Sequence, residues 1–308
     1  MSPTGCPRVG VGLPVYNGER YLAGALDALL GQTWSDFILF IGDNASTDGT
    51  EDIARHYAAR DSRVRYHRHR TNIGAPRNFN YLFEQSGTAY FRWQAADDLV
   101  LPEYTARCVE VLDSDPGAVL AYCGTIDIDG EGRELGPYED RMHVTQASAR
   151  ERFRRVRQNL QRCNAVFGLL RSSVLRHTSL FQTFVHSDRV FLAELALHGK
   201  LIEVPERLFR RRYHPAASSA MNDRQRDAFY TGQAQRSVRP QYWPLLAGYY
   251  RALAQAPVRL RERLALHTDL LRTFVWWRGA LSREAWEALR RSLGAPPASR
   301  GVGEPRAS

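Results

Sequence analysis

The stretch Gln94-Ala95-Ala96-Asp97-Asp98-Leu99-Val100-Leu101-Pro102-Glu103 sets two adjacent acids between two unlike segments. Residues 89–93 before it read as a buried strand, and the run from Pro102 onward reads as a helix. Asp97 and Asp98 therefore fall at the carboxyl end of a strand, where open α/β sheets bind ligands. Paired carboxylates there suit a hard divalent cation, which commonly bridges phosphate oxygens. The same acids also suit a plain polar turn ahead of a helix.

Working outward, the first half alternates two kinds of segment. Strand-like runs fall at 8–13, 37–41, 64–67, 88–93 and 118–123, with helix-like runs at 21–30, 47–59, 75–84 and 103–112. Such alternation predicts an α/β fold: a mostly parallel sheet with helices on both faces, its first half Rossmann-like. After Gly124 the pattern changes. Residues 127–136 read as a polar hairpin, 146–200 as helices and short strands, and 202–212 as strand and loop. From 224 to 293 the chain reads as a helical C-terminal extension with breaks at Pro240, Pro244, Pro257 and 279–282. The Gly/Pro/Ser-rich tail, 294–308, reads as disordered.

Hydrophobic residues make up 44% of the 308, enough for a large core, and no stretch is long and apolar enough for a spanning helix. No leader pattern follows Met1, and Cys6, Cys108, Cys123 and Cys163 lack CxxC spacing. Both features predict a cytoplasmic protein with reduced thiols. The net charge of +9 is uneven: residues 1–100 hold 10 Arg and 11 Asp or Glu, so the excess lies beyond them. A basic second half favours anionic partners, although a general arginine bias gives the same count. No RNP, zinc-finger or helix-turn-helix signature is present, so a nucleic-acid partner is not expected.

Three more strand-end loops carry polar residues. Leu13-Pro14-Val15-Tyr16-Asn17-Gly18-Glu19 closes a strand and caps a helix, and a dinucleotide site is disfavoured because Val9-Gly10-Val11-Gly12-Leu13-Pro14 lacks a third glycine. Gly42-Asp43-Asn44-Ala45-Ser46-Thr47-Asp48 offers Asp43 at a strand end. As an EF-hand it fails, with Arg55 where Glu is needed. In the third loop Arg77 falls in the first turn of a helix, an unfavourable place for a cation and so a candidate for stacking on a base or binding phosphate. Each of these residues also reads as ordinary capping or surface chemistry.

Val11-Gly-Leu-Pro-Val-Tyr-Asn-Gly-Glu-Arg-Tyr-Leu22, Gly42-Asp-Asn-Ala-Ser-Thr-Asp-Gly-Thr50, Asn72-Ile-Gly74 and Trp93-Gln-Ala-Ala-Asp-Asp98 together resemble family 2 glycosyltransferases of the GT-A fold. The resemblance is specific over 8–125, weaker to 215 and absent beyond. It implies a GT-A domain over 1–222, with 8–125 binding a nucleotide sugar (UDP-, dTDP- or GDP-linked) and 126–222 facing the acceptor. It also implies Mn²⁺ or Mg²⁺ and transfer with inversion. By similarity Pro14, Tyr16 and Glu19 border the nucleoside, Asp43 hydrogen-bonds the base with Arg77 near it, Asp97 approaches ribose and metal, and Asp98 ligates the metal. The chain departs from the family pattern at Ala95, where an acid is common.

Inversion needs a base for the acceptor hydroxyl. Asp188, opening a helix-like run, is the candidate, and Ser187 stands where the family often has Glu. Glu194, further along, is expected at the surface. Arg212-Tyr213-His214 matches the Arg-x-His that ends similar domains, so His214 is expected at the metal or diphosphate and Arg212 at the departing phosphate charge. The Gln-x-x-Arg-Trp of processive synthases is missing. Two other readings stay open: a catalytically silent nucleotide- or glycan-binding module, which Ala95 and Ser187 permit, and a nucleotidyltransferase, which the single glycine of the first loop disfavours. The aromatics of the C-terminal helices are expected to pack on the main domain. Two alternatives stay open: an acceptor cleft, since sugars stack on aromatic rings, and a peripheral contact with the inner face of a membrane, with Arg259, Arg261, Arg263 and Arg272 facing anionic lipid.

Overall fold

The computed structural model describes residues 7–233 and 240–293. Its first half is built as the alternation predicts. Strands β1 (Val9–Val15), β2 (Phe37–Asp43), β3 (Val64–Arg68) and β4 (Tyr90–Trp93) pair in parallel in the order β3-β2-β1-β4. Helices α1 (Glu19–Leu30), α2 (Thr50–Arg60) and α3 (Ala75–Glu84) connect them. All seven residues of β1 are buried, as the centre of a sheet covered on both faces demands.

Beyond β4 the sheet becomes mixed. β5 (Leu99–Val100), α4 (Tyr104–Ser114), β6 (Ala118–Ile128) and β7 (Glu134–Tyr138) come next, and β6–β7 is the expected hairpin. Then follow α5 (Ala149–Asn159), β8 (Leu169–Arg171), α6 (Ser172–Leu175), α7 (Ser187–His198) and β9 (Lys200–Arg212). β8 runs antiparallel between β4 and β6, and β9 lies parallel to β6.

The strands alternate their side chains between two cores. Tyr90, Ala121 and Cys123 join the core under α1, α2 and α4. Phe91, Trp93 and Tyr122 join the other, under α3, α5 and α7. Cys108 and Cys123 are buried free thiols 3.8 Å apart, and Cys163 is half-buried.

α8 (Asp223–Thr231), α9 (Tyr242–Gln255) and α10 (Leu260–Ser292) complete the described chain. Pro244 is tolerated in the first turn of α9, and Pro257 separates α9 from α10. The expected break at 279–282 does not occur. Gly279 and Ser282 sit exposed on a continuous α10, where a glycine costs about 1 kcal/mol against alanine without ending a helix. The expected tail, 294–308, and Cys6 lie outside the described residues.

α10 is docked through its acids. Asp269 accepts Nε and one NH₂ of Arg150, and Glu262 accepts the Ser148 hydroxyl at the start of α5. Glu284 accepts the backbone N–H groups of Gln241, Tyr242 and Trp243, capping α9 from a neighbouring helix. The aromatics divide. Tyr249 is 4% exposed and packs on the main domain as expected, whereas Trp286 is 61% and Trp276 84% exposed. The period-3.6 pattern of α10 carries apolar residues on more than one face, so residue type alone did not say which face was inward.

Candidate functional site

Because β1 to β4 are parallel neighbours, their four following loops emerge on one edge of the sheet. The expected gathering of Asp43, Asp97 and Asp98 along that edge is therefore what the topology delivers.

The first two loops hold each other. Asn17 N–H donates to the Ser46 hydroxyl, and Thr47 N–H donates back to the Asn17 side chain. Gly18 N–H donates to Thr50, and Glu19 accepts Gly49 N–H at the start of α2. Asn17 and Ala45 both take positive φ, an uncommon geometry for residues with a Cβ, held here by these contacts. Pro14 is buried in β1, while Tyr16 is 51% exposed beside it.

Asp43 is fully buried at the end of β2. One oxygen accepts Ser46 N–H, and the other accepts Tyr66 OH at 2.8 Å and the Arg68 guanidinium at 2.9 Å. Both oxygens are thus engaged within the protein. Asn44 and Asn72 then tie the second loop to the third. Arg77 is exposed on α3 and is not among the residues lining the cavity below.

The Asp97–Asp98 turn is fastened from the other side by the end of β9. Arg212 N–H donates to Asp98 Oδ1 at 2.7 Å, and Arg212 Nε donates to the Asp97 carbonyl at 2.8 Å. Its Nη1 reaches the carbonyls of Asp129 and Gly130, and the guanidinium lies over Tyr21. The expected diphosphate ligand is therefore largely a clasp between the acidic turn and the hairpin. His214 Nε2 contacts Asp97 Oδ2 at 2.9 Å. Burial, and then the neighbouring Asp97, push the Asp98 carboxyl up to about 8.

Sequence reading missed what lies beneath. Arg92, fully buried, donates to Gln94 Oε1, and Gln94 Nε2 donates to the Asp98 carbonyl. Arg92 also stacks over Tyr104 at 4.3 Å, while its Nε and remaining terminal nitrogen lack hydrogen-bond partners. A polar residue at an inward strand position was the one available signal.

Asp97, Asp98 and His214 offer oxygen and imidazole donors that suit Mn²⁺ or Mg²⁺. Two carboxylates this close, one of them buried, are short of positive charge, which a cation would supply. They are not a finished cage: among the described residues no three His, Cys, Asp or Glu side chains are arranged to hold an ion. A cation here needs further oxygens, such as those of a diphosphate.

Asp188 lies in the first turn of α7 and lines a cavity of about 410 Å³. Phe79 and Phe181 line it too and pack around Trp93, and Phe229 and Tyr230 of α8 complete it. Arg162, Arg189, Arg211 and Arg226 make it basic. His186, just ahead of α7, is held at φ 68°. The Cys163 thiol is pushed up by burial and by Asp188. Asp97 and Asp98 are not lining residues, but Arg211 spans the two regions, lining the cavity and acting on the Asp98 carboxyl.

Glu194 is not at the surface. It is fully buried on α7, accepts the Ser179 N–H and hydroxyl, and is pushed up to about 7 by burial. It falls on the same helix face as Val190 and Phe191, a placement that a polar residue type does not announce.

A family model described as glycosyl transferase family 2 matches residues 11–179. An uncharacterized glycosyltransferase of Rickettsia typhi is 32% identical over 130 residues, covering 42% of this chain and 40% of that protein, so the match spans under half of that relative's length. S. aureus TarS, solved with UDP-GlcNAc, superposes with a TM-score of 0.64 at 16% identity over 87% of this chain and 73% of its own. The mannosyltransferase PcManGT from Pyrobaculum calidifontis, solved with GDP-Man and Mn²⁺, gives 0.51 at 18% identity over 93% and 88%. These last two likenesses are of fold. With the family model spanning over half its length, the chain belongs to glycosyl transferase family 2 and has the GT-A fold.

Proposed function

We propose that the chain transfers a sugar from a UDP-, dTDP- or GDP-linked donor to an acceptor hydroxyl, with inversion at the anomeric carbon. The observation that carries this reading is the position of Asp97 and Asp98 at the carboxyl edge of the parallel strands, together with a cavity whose wall bears Asp188 and Arg211, the latter acting on the Asp98 carboxyl. Residues 8–125 then hold the donor and 126–222 the acceptor. Pro14, Tyr16 and Glu19 border the nucleoside, and Asp43 shapes that pocket by fixing Arg68 and the second loop.

Asp188 takes the proton of the acceptor hydroxyl. The acceptor oxygen forms its bond to the anomeric carbon as the bond from that carbon to the diphosphate breaks, and the nucleoside diphosphate leaves with the bonding pair. Arg211 lies where its charge favours that anion. Asp97, Asp98 and His214 would hold Mn²⁺ or Mg²⁺, which when bound stabilises negative charge on the diphosphate. We place the reaction in the cytoplasm, where adjacent unbridged thiols such as Cys108 and Cys123 are ordinary.

The test is release of nucleoside diphosphate from each donor class, with Mn²⁺, with Mg²⁺ and with chelator. Slow metal-dependent release from one class is expected. Binding of a nucleoside diphosphate with no release from any donor, with or without a range of acceptor glycans, would instead make this a silent binding module.

A further inference from the structure

We propose that the exposed face of α10, with the start of α9, docks on an anionic lipid surface. Most of the large apolar side chains exposed among the described residues belong to these two helices. On α10, Leu264, Leu271, Val275, Trp286 and Leu289 recur at spacings of three, four, seven and eleven residues, which brings them onto one stripe, and Leu293 follows just past its end. Leu271 is 56% and Val275 54% exposed, on the side opposite the docked Leu266, Leu270 and Thr273. The helix is about 50 Å long.

Charge sorts with exposure. Arg261, Arg272 and Arg283 are exposed along one flank of the stripe. Three of the four acids of the helix turn inward: Glu262 to Ser148, Asp269 to Arg150 and Glu284 to the start of α9. Glu287, the fourth, is exposed and falls about a third of a turn from the stripe, on the side of the arginine flank. A second copy of the chain would set arginine flank against arginine flank, with Glu287 as the one exposed acid of the helix to answer them. Anionic headgroups answer the arginines, and acyl chains the leucines. Trp243, Trp276 and Trp286, partly or fully exposed, are the residue type that favours the boundary between the two. No helix among the described residues is long and apolar enough to cross a membrane, so the contact lies along the surface.

The full chain is sedimented with vesicles of pure phosphatidylcholine and of phosphatidylcholine with roughly one-third phosphatidylglycerol. Co-sedimentation with the anionic vesicles, weakened by salt, is expected. Arg272→Gln and Arg283→Gln should each weaken it by about fivefold. Leu271→Glu with Val275→Glu should abolish it while circular dichroism, melting and donor hydrolysis in free solution stay unchanged. Equal recovery with both vesicle types, or unaltered binding by the double glutamate variant, would overturn the proposal. So would a concentration-dependent dimer that the same variant dissolves, since the stripe would then be a contact between copies.

Discussion

The edge of the parallel sheet and the outer face of α10 use charge in opposite ways. At the sheet edge, acids are held in position by the protein: Asp43 by Ser46, Tyr66 and Arg68, Asp98 by Arg212 N–H, Asp97 by His214. On α10 three of the four acids dock the helix, and arginines are left outward among leucines and tryptophans. Anions gathered at a strand edge attract cationic or metal-bound ligands, while cations beside an apolar stripe fit an extended anionic surface. The +9 charge of the whole chain hides this division.

The comparison breaks first at Asp98. Asp98→Asn should lower metal-dependent donor turnover by about 10³-fold and abolish any Mn²⁺-induced rise in melting temperature. Turnover near the parent level would remove the metal from that edge. Asp188→Asn should cost about 10²–10⁴-fold in transfer while leaving nucleoside diphosphate affinity intact, as isothermal titration would measure. A parallel loss of affinity would mean that Asp188 belongs to the donor pocket and not to the acceptor.

Smaller effects sharpen the picture. Asp43→Ala removes a buried carboxylate that three donors use, and should lower unfolding stability by about 2–4 kcal/mol in urea titration. Unchanged stability would show that Arg68 and Tyr66 find other partners. The smallest effect concerns Glu194, whose folded-state carboxyl is pushed up to about 7 from an ordinary value of 4.5. The folded state holds that proton where the unfolded chain releases it, so rising pH through this window lowers stability. Glu194→Gln should flatten the fall in melting temperature between those two values and leave donor hydrolysis unchanged. A wild-type slope that persists in the variant would assign the titration elsewhere.

Fold and site were legible to different degrees, for physical reasons. Period-two and period-3.6 patterns predicted α3 at its observed bounds and most other elements to within a few residues, because each buries one face. The acidic turn was legible because Asp97 and Asp98 stand between a buried strand and a helix. Arg212 was read as a phosphate ligand because residue type shows a cation but not the carbonyls of Asp97, Asp129 and Gly130 that it meets. Glu194 was misplaced, and Arg92 and Gln94 were overlooked, for a related reason. Buried polar residues are stabilised by partners distant in sequence, such as Ser179 or the carbonyl of a following turn. α10 misled most, since nothing local distinguishes an apolar stripe that docks from one left uncovered.

The close approach between the third loop and the end of α8 has a consequence of its own. Gly74 and Gly232 both take positive φ, and a Cβ on Gly74 would lie 2.6 Å from the Tyr230 carbonyl while one on Gly232 would lie 2.4 Å from that of Asn72. Bare backbone against bare backbone thus fixes how near the roof of the cavity sits to its rim. A single methyl at either glycine would meet backbone it cannot clear unless the third loop or the end of α8, which carries Phe229 and Tyr230, moves. The gauge of the chamber is therefore set in part by two atoms that are missing.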